Sequence, residues 1–127
     1  MKALVADDSK IMRLLLTSLL CELGIEEVDD ASNGAEAFQM ATEKCYDFVI
    51  LDIHMPKMSG LSVLRTLKTE SSRCSETLVI MVSSDNSYRT IERARELGAF
   101  GYIQKPFKKE SLVAAVNAVR MLREPRD

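Results

Sequence analysis

Short apolar runs alternate along the chain with longer stretches in which apolar residues recur every three to four positions. Lys2-Ala3-Leu4-Val5-Ala6 is the first run, and it ends on Asp7-Asp8. Phe48-Val49-Ile50-Leu51 ends on Asp52, Leu78-Val79-Ile80-Met81-Val82 ends on Ser83-Ser84, and Phe100-Gly101-Tyr102-Ile103-Gln104 ends at Lys105-Pro106. Runs this short, rich in β-branched residues and without polar alternation, predict strands buried on both faces, as central parallel strands are. Residues 26–31 are mostly acidic and predict a weaker strand at a sheet edge.

Helical spacing fills the intervals. Ser9 is placed to cap a helix with apolar residues at Ile11, Leu14, Leu15, Leu19 and Leu23, and Gly24 ends it. Asn33-Gly34 opens a second helix through Ala37, Phe38 and Ala41, and Leu61, Leu64 and Leu67 mark a third. Ile91, Ala94 and Leu97 mark a fourth with its stop at Gly98, and Leu112, Val113, Val116, Val119 and Leu122 a fifth. Residues 70–76 read as a polar loop.

Strand and helix therefore alternate five times, which predicts an α/β fold: a single-domain (βα)5 doubly wound, five-stranded parallel sheet with helices on both faces. Of the common doubly wound orders, the flavodoxin-like 2-1-3-4-5 arrangement suits five strands. Right-handed crossovers then bring the C-terminal ends of all the strands to one rim. Asp7, Asp8, Asp52, Ser83 and Lys105 converge there, while Asp29 and Asp30, ending the edge strand, are expected at the surface.

Three carboxylates packed together repel one another. A like-charge pair at about 4 Å costs roughly 4 kcal/mol at an effective dielectric of 20. Either one carboxylate stays protonated or a cation sits among them. Oxygen donors alone, few in number, suit Mg²⁺, which keeps waters and takes phosphate oxygens in its remaining positions. Lys105 adds a fixed positive charge and Ser83 a hydroxyl donor. An aspartate in that setting is a competent nucleophile toward phosphorus, so the residues predict phosphoryl acceptance by Asp52.

Composition narrows the partners. With 127 residues, 46% apolar and 28% charged, the chain has the make-up of one ordinary globular domain, and residues 1–127 are read as that domain. A net charge of −2 does not favour direct nucleic-acid binding. Residues 1–60 hold 5 basic and 11 acidic side chains and residues 61–127 hold 12 and 8, a spread that a solvated surface explains, with Arg89, Arg93, Arg120 and Arg123 read as wet helical faces and a docking surface for an acidic partner as the alternative. Cys21, Cys45 and Cys74 are odd in number and none are closely spaced, which favours free thiols in a reducing compartment over a disulfide or a zinc site. No signal peptide and no membrane-spanning run is evident, so a cytoplasmic protein without membrane insertion is expected.

Asp7-Asp8, Asp52 with Met55-Pro56 and Gly60, Ser83-Ser84, and Lys105-Pro106-Phe107 together resemble the motif set of bacterial response-regulator receiver domains, the CheY-like family. The likeness runs from Lys2 to the last helix, and five elements in order make it specific. The resemblance implies that Asp52 is phosphorylated by a sensor histidine kinase or phosphotransfer protein. It implies that Asp7, Asp8, Asp52 and the backbone carbonyl of His54 hold Mg²⁺, and that Lys105 and Ser83 assist the transfer. Ser83 and the aromatic Tyr102 would form the switch, and the Lys105-Pro106 bond would be cis. The face of the fourth helix, fifth strand and fifth helix would meet a downstream target, with chemotaxis one possible output.

Ser83 stands where Thr is as common, and His54 and Asp85 occupy positions that vary and influence phosphoryl lifetime. A hydrolase resembling haloacid-dehalogenase phosphatases fits less well, because Ile53-His54 follows Asp52 where that chemistry needs an acid two residues on. A plain binding module would not require Asp7, Asp8 and Lys105 together, and no P-loop motif is present. Beyond self-catalysed phosphotransfer and autodephosphorylation, no enzymatic activity is expected. No output domain follows the last helix, so the chain is expected to act by docking or to be part of a longer protein.

Overall fold

The computed structural model describes residues 1–69 and 74–123; residues 70–73 of the expected polar loop lie outside them. Strands β1 (Lys2–Ala6), β2 (Glu27–Ala31), β3 (Phe48–Asp52), β4 (Leu78–Ser83) and β5 (Gly101–Gln104) alternate with helices α1 (Lys10–Glu22), α2 (Gly34–Lys44), α3 (Gly60–Thr69), α4 (Tyr88–Glu96) and α5 (Lys109–Arg123). The sheet is parallel throughout in the order β2-β1-β3-β4-β5, the order expected from the alternation. All five residues of β3 are buried, because β1 and β4 flank it and helices cover both faces.

Two cores result. Leu4, Val49, Leu51 and Met81 pack with Leu64 and Leu67 on the side of α2, α3 and α4. Val5, Ile50, Ile80 and Val82 pack with Leu16, Leu20, Leu112 and Val116 on the side of α1 and α5. Alternate residues of each strand feed opposite cores, as the pleat requires.

Side chains cap four of the helices, α3 through Ser59 Oγ, which accepts from Ser62 N–H at 3.2 Å. Ser9 Oγ accepts from Met12 N–H at 3.2 Å, Asn33 Oδ1 from Glu36 N–H at 2.8 Å, and Ser87 Oγ from Thr90 N–H at 3.3 Å. Gly60 opens α3 with its N–H on the carbonyl of Ile53 at 2.8 Å, and a Cβ there would collide with the backbone carbonyl of Asp52. The turn after β3 therefore folds back on the strand so closely that only glycine fits.

Two expectations change. On α1 the packed residues are Leu16 and Leu20, with Met12, Leu19 and Leu23 beside them, whereas Ile11, Leu14 and Leu15 are 80%, 61% and 45% exposed. The leucine run offers more than one apolar stripe at helical spacing, and contact with β1 and α5 selects among them. Leu122 of α5 is likewise exposed. The cysteines also differ from the free-thiol expectation: Cys45 and Cys74 form a disulfide across a separation of 29 residues, and Cys21 is free and exposed. Because β3 and β4 are sheet neighbours, the end of α2 and the approach to β4 meet, which sequence spacing does not reveal. No helix among the described residues is long and apolar enough to cross a membrane.

Candidate functional site

Each site residue stands at or just beyond the C-terminal end of a strand. Asp7 and Asp8 follow β1, Asp52 ends β3, Ser83 ends β4 and Lys105 follows β5. Lys105 N–H donates to the Ser83 carbonyl at 2.8 Å, which fastens the β5 exit to the β4 exit. The Lys105-Pro106 bond is cis, as the motif implied.

Asp7, Asp8 and Asp52 each present a carboxylate oxygen, and these oxygens lie within 4.8 Å of one another. Asp7 and Asp52 are buried and Asp8 is exposed. Lys105 Nζ lies 2.8 Å from Asp7 Oδ2 and 3.4 Å from Asp52 Oδ2. Among the described residues no cation is paired with Asp8, so one ammonium faces three carboxylates. Such a cluster, buried at its base and open at Asp8, could hold a metal ion.

The electrostatics follow from this crowding. Burial pushes the Asp52 carboxyl above its ordinary range; Lys105 opposes the shift and the Asp7 charge adds to it. Burial works against the charged form of Lys105, but the Asp7 hydrogen bond and the charges of Asp52 and Asp7 outweigh it, and the ammonium is held above its usual value. The Ser9 N–H fixes Asp7 by donating to Oδ1 at 2.9 Å. His54 is exposed, with its N–H 3.4 Å from Asp52 Oδ1.

Ser83 is fully buried, and its Oγ accepts the Asp85 N–H at 3.1 Å. Half-buried Tyr102 donates its hydroxyl to the Asp85 carbonyl. Asp85 also accepts from Ser87 N–H at 2.9 Å and Thr90 Oγ1 at 2.8 Å, and these bonds hold its carboxyl below the ordinary range. Asp85 thus joins Ser83, Tyr102 and the start of α4, a role that its reading as a variable position missed; the Asp85-x-Ser87 turn spacing ahead of a helix cap was the available signal. Arg13 was missed too: it donates to the Asp7 carbonyl at 2.8 Å and pairs with Asp30 at 2.8 Å. Asp29 and Asp30 stay outside the cluster, as expected, although both are ion-paired.

Residues 3–117 match the response regulator receiver domain. The chain belongs to that family. It is 33% identical over 118 residues to a probable chemotaxis protein CheY of Rhizobium etli, covering 93% of this chain and 91% of the relative. It is 38% identical over 109 residues to a protein-glutamate methylesterase/protein-glutamine glutaminase of Archaeoglobus fulgidus, covering 84% of this chain but 30% of that longer protein. A Francisella response regulator receiver domain superposes with a TM-score of 0.87 at 29% identity, covering 97% of this chain and 98% of the other. Receiver domains are the phosphoacceptor switches of two-component response regulators; they meet a histidine kinase or phosphotransfer protein and an output target.

Proposed function

We propose that Asp52 of this receiver domain, spanning residues 1–127, takes a phosphoryl group from the phosphohistidine of a sensor kinase or phosphotransfer protein. What carries the reading is one geometric fact: three carboxylates with donor atoms inside 4.8 Å meet a single lysine at the end of the central strand. The donor set is all oxygen and partly open, which fits Mg²⁺ held by Asp7, Asp8, Asp52 and the backbone carbonyl of His54. Bound there, Mg²⁺ would neutralise charge on the transferring oxygens.

The chain's own residues do the rest. Asp52 supplies the attacking carboxylate oxygen, held by its strand and faced by Lys105, which stabilises the charge that builds on the equatorial oxygens. Ser83 offers a hydroxyl to one of those oxygens. Movement of Oγ toward that oxygen draws it from the Asp85 N–H that it accepts, and Asp85 is bound to Tyr102 and to the first turn of α4. Addition of about −2 charge at the rim thereby reaches the α4/β5/α5 face, which docks the target protein. The protein works in the cytoplasm and binds no nucleic acid directly. Chemotaxis, named for its CheY relatives, is one output this surface could serve.

Incubation with acetyl phosphate and Mg²⁺, followed by intact mass, tests the acceptor: Asp52→Asn is expected to abolish uptake, and undiminished uptake removes the assignment. Ser83→Ala is expected to accept phosphate while losing the amide chemical-shift changes in α4 and β5. Shifts like those of the wild type would break the proposed coupling.

A further inference from the structure

At the rim opposite Asp52, Cys45 and Cys74 are joined where two segments enter the sheet. Cys45 ends α2 in the left-handed region, φ 51°, a place where glycine is the usual residue and a β-carbon is disfavoured. Cys74, 2% exposed, precedes β4. Their Cα atoms are 4.9 Å apart, inside the span a disulfide bridges. A cavity of about 180 Å³ is lined by Cys45 and Cys74 together with Asp47, Glu76 and Arg123, and it gives a small thiol or disulfide an approach to the pair.

The reduced state is accommodated as well. Cys74 Sγ lies 3.4 Å from the Thr42 carbonyl, in the last turn of α2, where carbonyls run out of helical donors. As a thiol, Cys74 would donate there without backbone movement. Disulfides of proteins in reducing compartments are generally transient and redox-sensing.

We propose that Cys45 and Cys74 are a redox-active pair that cycles between dithiol and disulfide in exchange with a low-molecular-weight disulfide of the glutathione type. Cys45, the less buried of the two residues, attacks as thiolate, forming a mixed disulfide and releasing one glutathione thiolate, which takes up a proton. The Cys74 thiolate then attacks the Cys45 sulfur and releases the second. Two protein thiols are oxidised, and one disulfide is reduced to two thiols. The bond ties the end of α2 to the approach to β4, beside the registered pair Phe48 and Leu78 where β3 and β4 begin. Cross-linking restricts the unfolded chain, so redox state sets the stability of the fold that carries Asp52 and Ser83.

The full chain is equilibrated in glutathione buffers of graded oxidised-to-reduced ratio, quenched with acid, alkylated and mapped by peptide mass spectrometry. Cys45 and Cys74 are expected to become protected together as peptides linked to each other, while Cys21, exposed on α1, is either alkylated or carries glutathione as a mixed disulfide. The oxidised form should melt about 10 °C above the reduced one. Cys45→Ser and Cys74→Ser should each abolish the joint protection; if either fails to fold, the wild-type map decides alone. Alkylation of both residues in the most oxidising buffer, protection of both in the most reducing one, or pairing with Cys21 in place of each other overturns the proposal.

Discussion

At the C-terminal rim of the sheet, Lys105 meets Asp7 and Asp52 while Asp8 stands exposed beside them. At the opposite rim and along the β2 edge, charge is matched more closely. Lys44 lies between Glu27 at 2.5 Å and Asp29 at 2.8 Å, and Tyr46 donates to Asp29 at 2.6 Å. Lys68 donates to the carbonyls of Ser75 and Thr77, and Arg120 and Arg123 donate to those of Leu23 and Glu76, so these arginines do more than sit on a wet face. One end spends its cations on closing loops and edges. The other leaves negative charge in excess, and that excess is what an incoming cation and a phosphoryl group can answer.

Lys105→Ala should break this contrast most severely. It leaves Asp7 and Asp52 buried without their ammonium, and a loss of about 3 kcal/mol is expected in metal-free urea unfolding. Added Mg²⁺ should restore part of it. A variant as stable as the wild type would mean that the cluster is not held in check by Lys105.

Gly60→Ala comes next, at about 2 kcal/mol, because its methyl must displace the Asp52 carbonyl. Slower phosphoryl uptake should accompany the loss, since the same carbonyl belongs to the acceptor. Unchanged uptake at reduced stability would separate the turn from the site.

Asp29→Asn should cost about 1 kcal/mol or less, being a partly exposed pair. Its carboxyl is held below the ordinary value first by the Lys44 hydrogen bond and then by Tyr46. The stability it contributes is therefore present above the unfolded carboxylate value and lost as pH falls through the lower folded one. Wild type should lose more stability than Asp29→Asn between about pH 5 and about pH 2. Parallel profiles would show that the edge is not matched in the way the distances indicate.

The alternation of strand and helix, the strand order and the convergence of Asp7, Asp8, Asp52 and Lys105 were legible because a parallel sheet leaves little choice. Buried strands must be apolar, crossovers are right-handed, and every strand then ends on the same rim. Asp52 could be singled out because a carboxylate that ends a four-residue apolar run is costly without a use. Local chemistry marked the caps at Ser9 and Asn33 in the same way.

Tertiary structure alone decided which of several leucine stripes α1 buries, since Leu14, Leu15 and Leu16 are chemically equivalent until β1 and α5 approach. It also decided that Cys45 meets Cys74, and that Asp85 links Ser83, Tyr102 and α4. Periodicity and spacing report what a residue requires of its surroundings, namely burial, a cap or a counter-charge. Which distant residue meets that requirement depends on how the elements pack, and only the folded chain determines it.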